Sequence, residues 1–479
     1  MPAAELDALF ARAAAAVDAG DLPAAQALYR EILAIVPQQA QALHHLGVLV
    51  ANAGDVPAGM AMLRQSLRHA PQDRYALWNL GTMALATRRY DEALGCFNRV
   101  LALAPGDISQ MSSRAAALAG LDRHEEALEA CETVLSQAPG QARAMVGRAG
   151  ALAGLGRDDD ALAAYRATVA LHPDDAEARF GLALALLATG AWAEGWAEYE
   201  WRERANPRQN PRRFAMPAWQ PGDPLAGRRI LVHAEQGFGD TLQFARYLPL
   251  LAGRGAAVVA EVDRALVGLL GRMGGAVCPL GTAAGPFDAH LPFGSLPLMF
   301  ATTIETVPAA PYLHADPARV ARWQQRLGPR TGLRVGLVWS GNAFTGRKRH
   351  LALSALAPLL ARPVTFVALQ VDISAADRAT LEATANLHSF AGEIADFGDT
   401  AALAETMDLV ISVDTATGHL AGALGRPLWL LLAHAPDWRW LRNRDDSPWY
   451  PTARLFRQTQ AGNWAAVVAR VGAALDGLI

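Results

Sequence analysis

Six prolines stand on one ladder: Pro37, Pro71, Pro105, Pro139, Pro173 and Pro207, each 34 residues after the one before. Proline has no amide hydrogen and its ring clashes with the preceding turn, so it stops a helix. Twelve residues before each stands a small residue: Ala25, Gly59, Ala93, Ala127, Ala161 and Gly195. Eight before stands Tyr29, Leu63, Phe97, Cys131, Tyr165 or Tyr199, and twenty-four before stands Ala13, Gly47, Gly81, Ala115, Ala149 or Ala183. Two short helices that cross closely need small residues where they touch and one large plug beside the crossing. The ladder therefore predicts six helix–turn–helix units, each resting on the next.

A unit of this length and pattern resembles the tetratricopeptide repeat, most plainly in LWNLGTMALATRRYDEALGCFNRVLALAP at 77–105. The sixth unit departs from the others. Four residues before the first five prolines stand Leu33, Leu67, Leu101, Leu135 and Val169, but before Pro207 stands Glu203, and Trp192, Trp196 and Trp201 enter. A terminal repeat has no following neighbour to stack on, so these aromatics are expected to dock the array, 1–205, onto what comes next. Residues 206–228 carry five prolines (Pro207, Pro211, Pro217, Pro221, Pro224) and read as a linker or strap packed through Phe214 and Trp219. Arg202, Arg204, Arg208, Arg212 and Arg213 cluster here. A solvated linker is one reading of them and a phosphate-binding patch the other.

At about 150 residues per domain, 479 residues suggests three domains. A hydrophobic share of 52% and a charged share of 19% support large buried cores. A net charge of −3 provides no field to recruit nucleic acid or an anionic membrane. Cys96, Cys131 and Cys278 show no pairing pattern, as in a reducing compartment. MPAAELDALFARAAAA reads as an amphipathic helix, not a signal peptide, and no run of 18 apolar residues appears. The expectation is a cytoplasmic protein with no membrane span and no nucleic-acid partner. Asp158-Asp159-Asp160 falls on an inter-helix turn, where acids suit a helix start. No Cys/His cluster has ligand spacing, so neither metal nor bound cofactor is expected.

From Arg228 the pattern becomes α/β. Apolar runs at RRILVHAE, AAVVAEVD, RVGLVWSG, PVTFVALQ, DLVISVD and PLWLLL alternate with helical stretches such as DTLQFARYLPLLAGRG, TAALAETM and TGHLAGALG. Strands alternating with helices predict parallel, doubly wound sheets. Two Rossmann-like lobes are expected, 229–331 and 332–479, with a ligand cleft where their strand ends face one another.

Two strand-to-helix turns carry candidate chemistry. In AEQGFGDTLQF, Gly237 and Gly239 allow a tight turn and Asp240 opens the helix. There the carboxylate can cap free amides or act as a base. In SVDTATGHLAGALG, Asp414 and Thr415 end a strand while Gly418 and His419 begin a helix. Such a helix start can hold a diphosphate, though His419 alone equally suits packing.

GxGD after the first strand of one sheet and DTxxxH late in the other resembles glycosyltransferase family 9, the bacterial heptosyltransferase-like group, over roughly 229–475. The whole chain is similar to bacterial proteins that fuse tetratricopeptide repeats to such a domain, a likeness shared by the tail PDWRWLRNRDDSPWYPTARLFRQ. The resemblance implies a GT-B fold and metal-independent, inverting transfer of a sugar from a nucleotide-sugar donor. It implies that Asp240 takes the acceptor's proton. By the same resemblance Asp414 contacts the nucleotide, and Thr415, Gly418 and His419 hold the diphosphate beside the glycines Gly237 and Gly239. A basic residue is implied after the first strand of the second lobe; Arg347, Lys348 and Arg349 are the choices, with Lys348 favoured. Ala416 stands where the family has glycine, and Gln370 where related enzymes carry a glutamate. The partners implied are the nucleotide sugar and a protein or glycan acceptor recruited through the repeats. Two alternatives stand beside this: a non-catalytic repeat scaffold with a relic nucleotide-binding domain, and a protein O-GlcNAc transferase. Against the latter, the positions that would form an asparagine ladder are Ala11, His45, Asn79, Ser113, Gly147 and Gly181.

Overall fold

The computed structural model describes residues 3–206, 212–341 and 350–479. The chain forms two compact units, Met1–Asp175 and Ala176–Ile479. The first consists of five antiparallel helix pairs, from Ala3–Asp18 with Leu22–Ile35 to Ala142–Gly154 with Asp158–Leu171. The second helix of each pair stops at Ile35, His69, Leu103, Gln137 or Leu171, two residues before its proline. Asp21, Asp55, Asp73 and Asp107 cap helix starts by accepting a backbone N–H two or three residues on.

The small residues are where the helices touch. A Cβ on Gly59 would lie 2.5 Å from the Gly47 carbonyl and 2.7 Å from the Ala51 Cβ. A Cβ on Gly81 would lie 2.8 Å from Phe97, and one on Gly147 would lie 2.8 Å from the Cys131 sulfur. Plug and crossing therefore meet as the spacing implies.

The break between units falls ahead of the sixth pair. Helices Ala176–Thr189, Trp192–Tyr199 and Arg202–Ala205 belong to the second unit, and a single core joins Leu187, Trp192, Trp196 and Tyr199 to Ile230, Phe244, Leu430 and Trp440. Trp196 is 1% exposed, donates its indole N–H to the Thr302 carbonyl at 2.9 Å, and meets Trp438 edge-on at 5.2 Å. Trp192 stacks on Trp449 at 5.0 Å. Trp201 lies outside that core, with the guanidiniums of Arg179 and Arg204 over its ring at 4.6 and 4.2 Å. The solvated-linker reading of the arginine cluster fails at Arg202, which is 4% exposed and paired with Glu200 and Glu235.

Within this unit β1 (Arg229–His233), β2 (Ala257–Val262), β3 (Ala276–Pro279) and β4 (Ala289–Pro292) form a parallel sheet in the order β3-β2-β1-β4. A second parallel sheet has β5 (Arg334–Val338), β6 (Thr365–Ala368), β7 (Leu387–Ser389), β8 (Leu409–Val413), β9 (Leu428–Leu432) and β10 (Ala453–Arg457) in the order β10-β9-β8-β5-β6-β7. The strap ahead of β1 packs on β4. Trp219 donates its backbone N–H to His290, His290 donates to Pro217, and Phe214 stacks on the His290 ring at 4.2 Å. The helix expected over 240–255 is broken into Phe238–Phe244 and Leu248–Gly253 by a tight turn at Ala245–Tyr247. Pro249 sits in the first turn of the second piece, where its missing N–H costs nothing.

Replacing Trp196 by alanine removes a buried ring and a buried hydrogen bond at once, and it is expected to cost about 3–5 kcal/mol of unfolding free energy. Urea denaturation of the full chain checks this. A loss below about 1 kcal/mol would mean that the sixth repeat is not part of this core.

Candidate functional site

In open α/β sheets, ligands bind beyond the carboxyl ends of the strands, where the strand order reverses. In the first sheet that place is beside β1, and in the second it is between β5 and β8. The two turns singled out from the sequence follow β1 and β8.

After β1, the chain passes through Ala234–Gly237 into helix Phe238–Phe244, and Asp240 is the third residue of that helix. Its Oδ2 accepts the Gly237 N–H at 3.0 Å, and its Oδ1 accepts from Nη2 of Arg439. The capping reading is thus realised, but with a second partner that capping does not require. Arg439 comes from the short turn of helix Trp438–Trp440 in the other lobe. Its Nε donates to Gln243 Oε1 at 2.6 Å and its Nη1 to Asp437 Oδ1 at 2.7 Å. Burial works against its charge, but Asp240 and Asp437 more than offset it and hold the guanidinium pKa well above the ordinary value.

After β8, Thr415 caps helix Ala416–Ala423, its Oγ1 accepting the Gly418 N–H at 3.3 Å. Ser412 Oγ lies 2.9 Å from that hydroxyl. Asp414 is buried, with Oδ1 3.8 Å from His419 Nε2. On the other side of the ring, His419 Nδ1 lies 2.9 Å from the Tyr450 hydroxyl, and the ring stacks on Trp440 at 5.2 Å. Gly418 faces β9, where a Cβ would come within 3.1 Å of Leu430.

The two turns touch. A Cβ on Gly239 would lie 2.9 Å from His419 Cδ2 and 3.7 Å from Ala416 Cα, so the glycine lets the first turn rest on the second. Gly237, by contrast, has φ −72° and needs no special backbone freedom. Gln370 is buried and uses its amide on the chain: Oε1 accepts the Trp339 and Ser340 N–H groups at 3.2 and 3.0 Å, and Nε2 donates to Asp372 and Ser340. It thereby holds the turn after β5. Arg347, Lys348 and Arg349 lie outside the described residues.

Residues that sequence reasoning passed over form a layer behind the first turn. Glu235 Oε1 accepts from Gly294 N at 3.0 Å and from Arg202 at 3.2 and 3.3 Å. Arg202 also bonds Ser295 and Glu200 at 2.8 Å. Burial outweighs the pull of Arg202 and the Gly294 amide at Glu235 and pushes its carboxyl up to about 7. Tyr199, buried beside it and raised to about 12, is a neutral phenol bonded to Gln236 at 3.0 Å. The signal for Arg439 was present in PDWRWLRN, a cation between two tryptophans, but nothing in that string names its partner.

Among the described residues no group of three or more His, Cys, Asp or Glu is placed to hold a metal ion, and no helix is long and apolar enough to cross a membrane. A cavity of about 640 Å³ opens at the opposite edge of the second sheet, where Arg334, Thr365 and Leu387 begin their strands, away from Asp414.

Comparison with known proteins agrees with this architecture. Residues 10–62, 52–108, 113–175 and 151–207 match the tetratricopeptide repeat. Residues 366–461 match glycosyltransferase family 9 (heptosyltransferase), a stretch from β6 past β10 that contains Asp414, His419 and Arg439. The chain is 32% identical over 315 residues to Protein FlbA of Caulobacter vibrioides, covering 59% of this chain and 52% of that protein. It thus spans about half the length of that curated relative. Among solved structures, a tetratricopeptide repeat protein from Parabacteroides merdae is 18% identical, covering 43% of this chain and 86% of its own, with a TM-score of 0.38. MamA from Desulfovibrio magneticus is 20% identical, covering 36% and 97%, with a TM-score of 0.30. The chain thus carries tetratricopeptide repeats in its N-terminal part and, toward its C-terminus, a stretch that matches glycosyltransferase family 9.

Glu235 gives this layer a pH dependence. Its folded pKa of about 7 lies above the ordinary 4.5, so between those values the folded state holds a proton that the unfolded chain has released. Stability from this group is present below about 4.5 and falls by about 1 kcal/mol per pH unit as pH rises toward 7. Glu235→Gln cannot lose a proton, so urea midpoints of wild type and variant are expected to diverge in the variant's favour across that window. Parallel curves would show that Glu235 is already ionised there.

Proposed function

We propose that the chain is a metal-independent, inverting glycosyltransferase that moves a sugar from a nucleoside-diphosphate donor to an acceptor hydroxyl. The observation that carries this is the contact of the two turns. The helix start after β1 that carries Asp240 lies against the capped helix start after β8, with Gly239 packed on His419. The family match over the second lobe supports the same reading.

In this account the donor's diphosphate lies at the start of helix Ala416–Ala423, where backbone amides and the helix dipole favour negative charge. Thr415 shapes that helix start, Gly418 permits its close packing on β9, and His419 presents its Nε2 edge beside Asp414. Asp240 accepts the proton of the acceptor hydroxyl as its oxygen bonds to the anomeric carbon. The bond from that carbon to the phosphate oxygen breaks and the nucleoside diphosphate departs. Attack from the opposite face inverts the centre. Asp240, with its side chain 22% exposed, is open enough to be reached by an acceptor. Gln370 serves the donor indirectly, through the turn after β5 that it holds. Lys348 is the favoured phosphate partner. The acceptor is a protein or glycan recruited by the repeats, in the cytoplasm.

One observation favours the scaffold reading: both Asp240 oxygens already have partners, in the Gly237 amide and Arg439. A donor-hydrolysis screen with a panel of UDP-, GDP- and ADP-sugars in EDTA separates the two. Turnover is expected to survive the chelator and to fall about 10²–10⁴-fold in Asp240→Ala, while His419→Ala weakens donor binding. If no donor is bound or consumed, the scaffold reading replaces this one; if Asp240→Ala retains full turnover, the assignment of the base is wrong.

A further inference from the structure

We propose that Arg439 is a positioning residue that sets the Asp240 carboxylate from the opposite lobe, so that the base is in place only when the two lobes are together. The proposal rests on the transferase reading above. Its ground is a three-residue segment, Trp438–Arg439–Trp440, that touches the terminal repeat, the helix after β1 and His419. Trp438 meets Trp196 of the terminal repeat at 5.2 Å, Arg439 binds Asp240, and Trp440 stacks on His419 at 5.2 Å.

The guanidinium reaches each of its three anchors with a different nitrogen. Asp240 and Gln243 are three residues apart on one helix, hence on the same face of it, and they belong to the first lobe. Asp437 belongs to the second. A planar fork fits three acceptors in fixed directions in a way that an ammonium point charge does not. Arg439 is 7% exposed, and a buried cation stays buried only while its counter-charges stay with it. Parting the lobes would remove Asp240 and Gln243 together and leave Asp437 alone. The guanidinium therefore favours the closed arrangement and aims Asp240 in it. The carboxylate's other oxygen is fixed by the Gly237 amide at 3.0 Å, so the group has one orientation.

The test uses the full-length chain and whichever nucleotide sugar the wild type hydrolyses. Arg439→Gln is expected to lower kcat about 10- to 100-fold, the scale of a misplaced reacting group, with the donor KM unchanged within about threefold. Arg439→Lys is expected to fall between the two, and Arg439→Gln added to Asp240→Asn is expected to change the residual rate little, since the two act as one unit. A kcat that stays near wild type, a change in KM alone, or an equal loss in the Asp240→Asn background would each overturn the proposal. Thermal midpoints of the single and double variants read the contact without turnover: additive shifts would also overturn it. If the wild type consumes no nucleotide sugar, the transferase reading fails and the positioning role falls with it, while coupled midpoints would show the contact itself to be real.

Discussion

The interaction on which this molecule turns is the buried pairing of Arg439 with Asp240. A guanidinium with 7% exposure is largely shut off from solvent, so beside Asp437 on its own lobe it is held to the Asp240 carboxylate of the other. That requirement binds the helix after β1 to the segment between β9 and β10, and Gly239 then lets the same helix settle on His419. The carboxyl-edge turns of two separate sheets thereby become one surface. Electrostatics sets which residues meet, and the glycine sets how closely.

The terminal repeat is drawn into the same arrangement. Trp192 and Trp196 form one core with both lobes, and Arg202 penetrates to Glu235, five residues before Asp240. The repeat cap and the candidate base are supported by one stretch of chain, so a change in the cap is felt at the site through packing and hydrogen bonds. The sixth unit keeps the period of the array but spends its aromatic face on the α/β part. The first five pairs, as a compact unit of their own, keep Leu33, Leu67, Leu101, Leu135 and Val169 at the stacking position.

Much of this was legible in the sequence for identifiable reasons. The prolines mark helix ends because a missing N–H is a local fact, and the glycines mark crossings because a Cβ has nowhere to go. Strands β1, β2, β5, β6, β8 and β9 were readable as apolar runs, since a parallel strand covered on both faces is apolar throughout. Strands β3, β4, β7 and β10 were not: AVCP, AHLP, LHS and ARLFR become strands by pairing with neighbours rather than by any pattern of their own. The continuous helix expected after Asp240 broke near Pro249. Asp240, Asp414, Thr415 and His419 were singled out because each stands at a strand-to-helix turn. Arg439 was not, because its partner is 199 residues away. Neither was Arg202, which local composition presented as one more basic residue in a linker.

The central claim is that the turns after β1 and β8 form a single nucleotide-sugar site. Hydrogen–deuterium exchange of the full chain, with and without UDP, GDP or ADP in EDTA, tests it most directly. The account predicts that one of these nucleotides slows exchange at amides 415–420 and at 237–241 together. Protection confined to one turn, or at neither turn with any of the three, would contradict it.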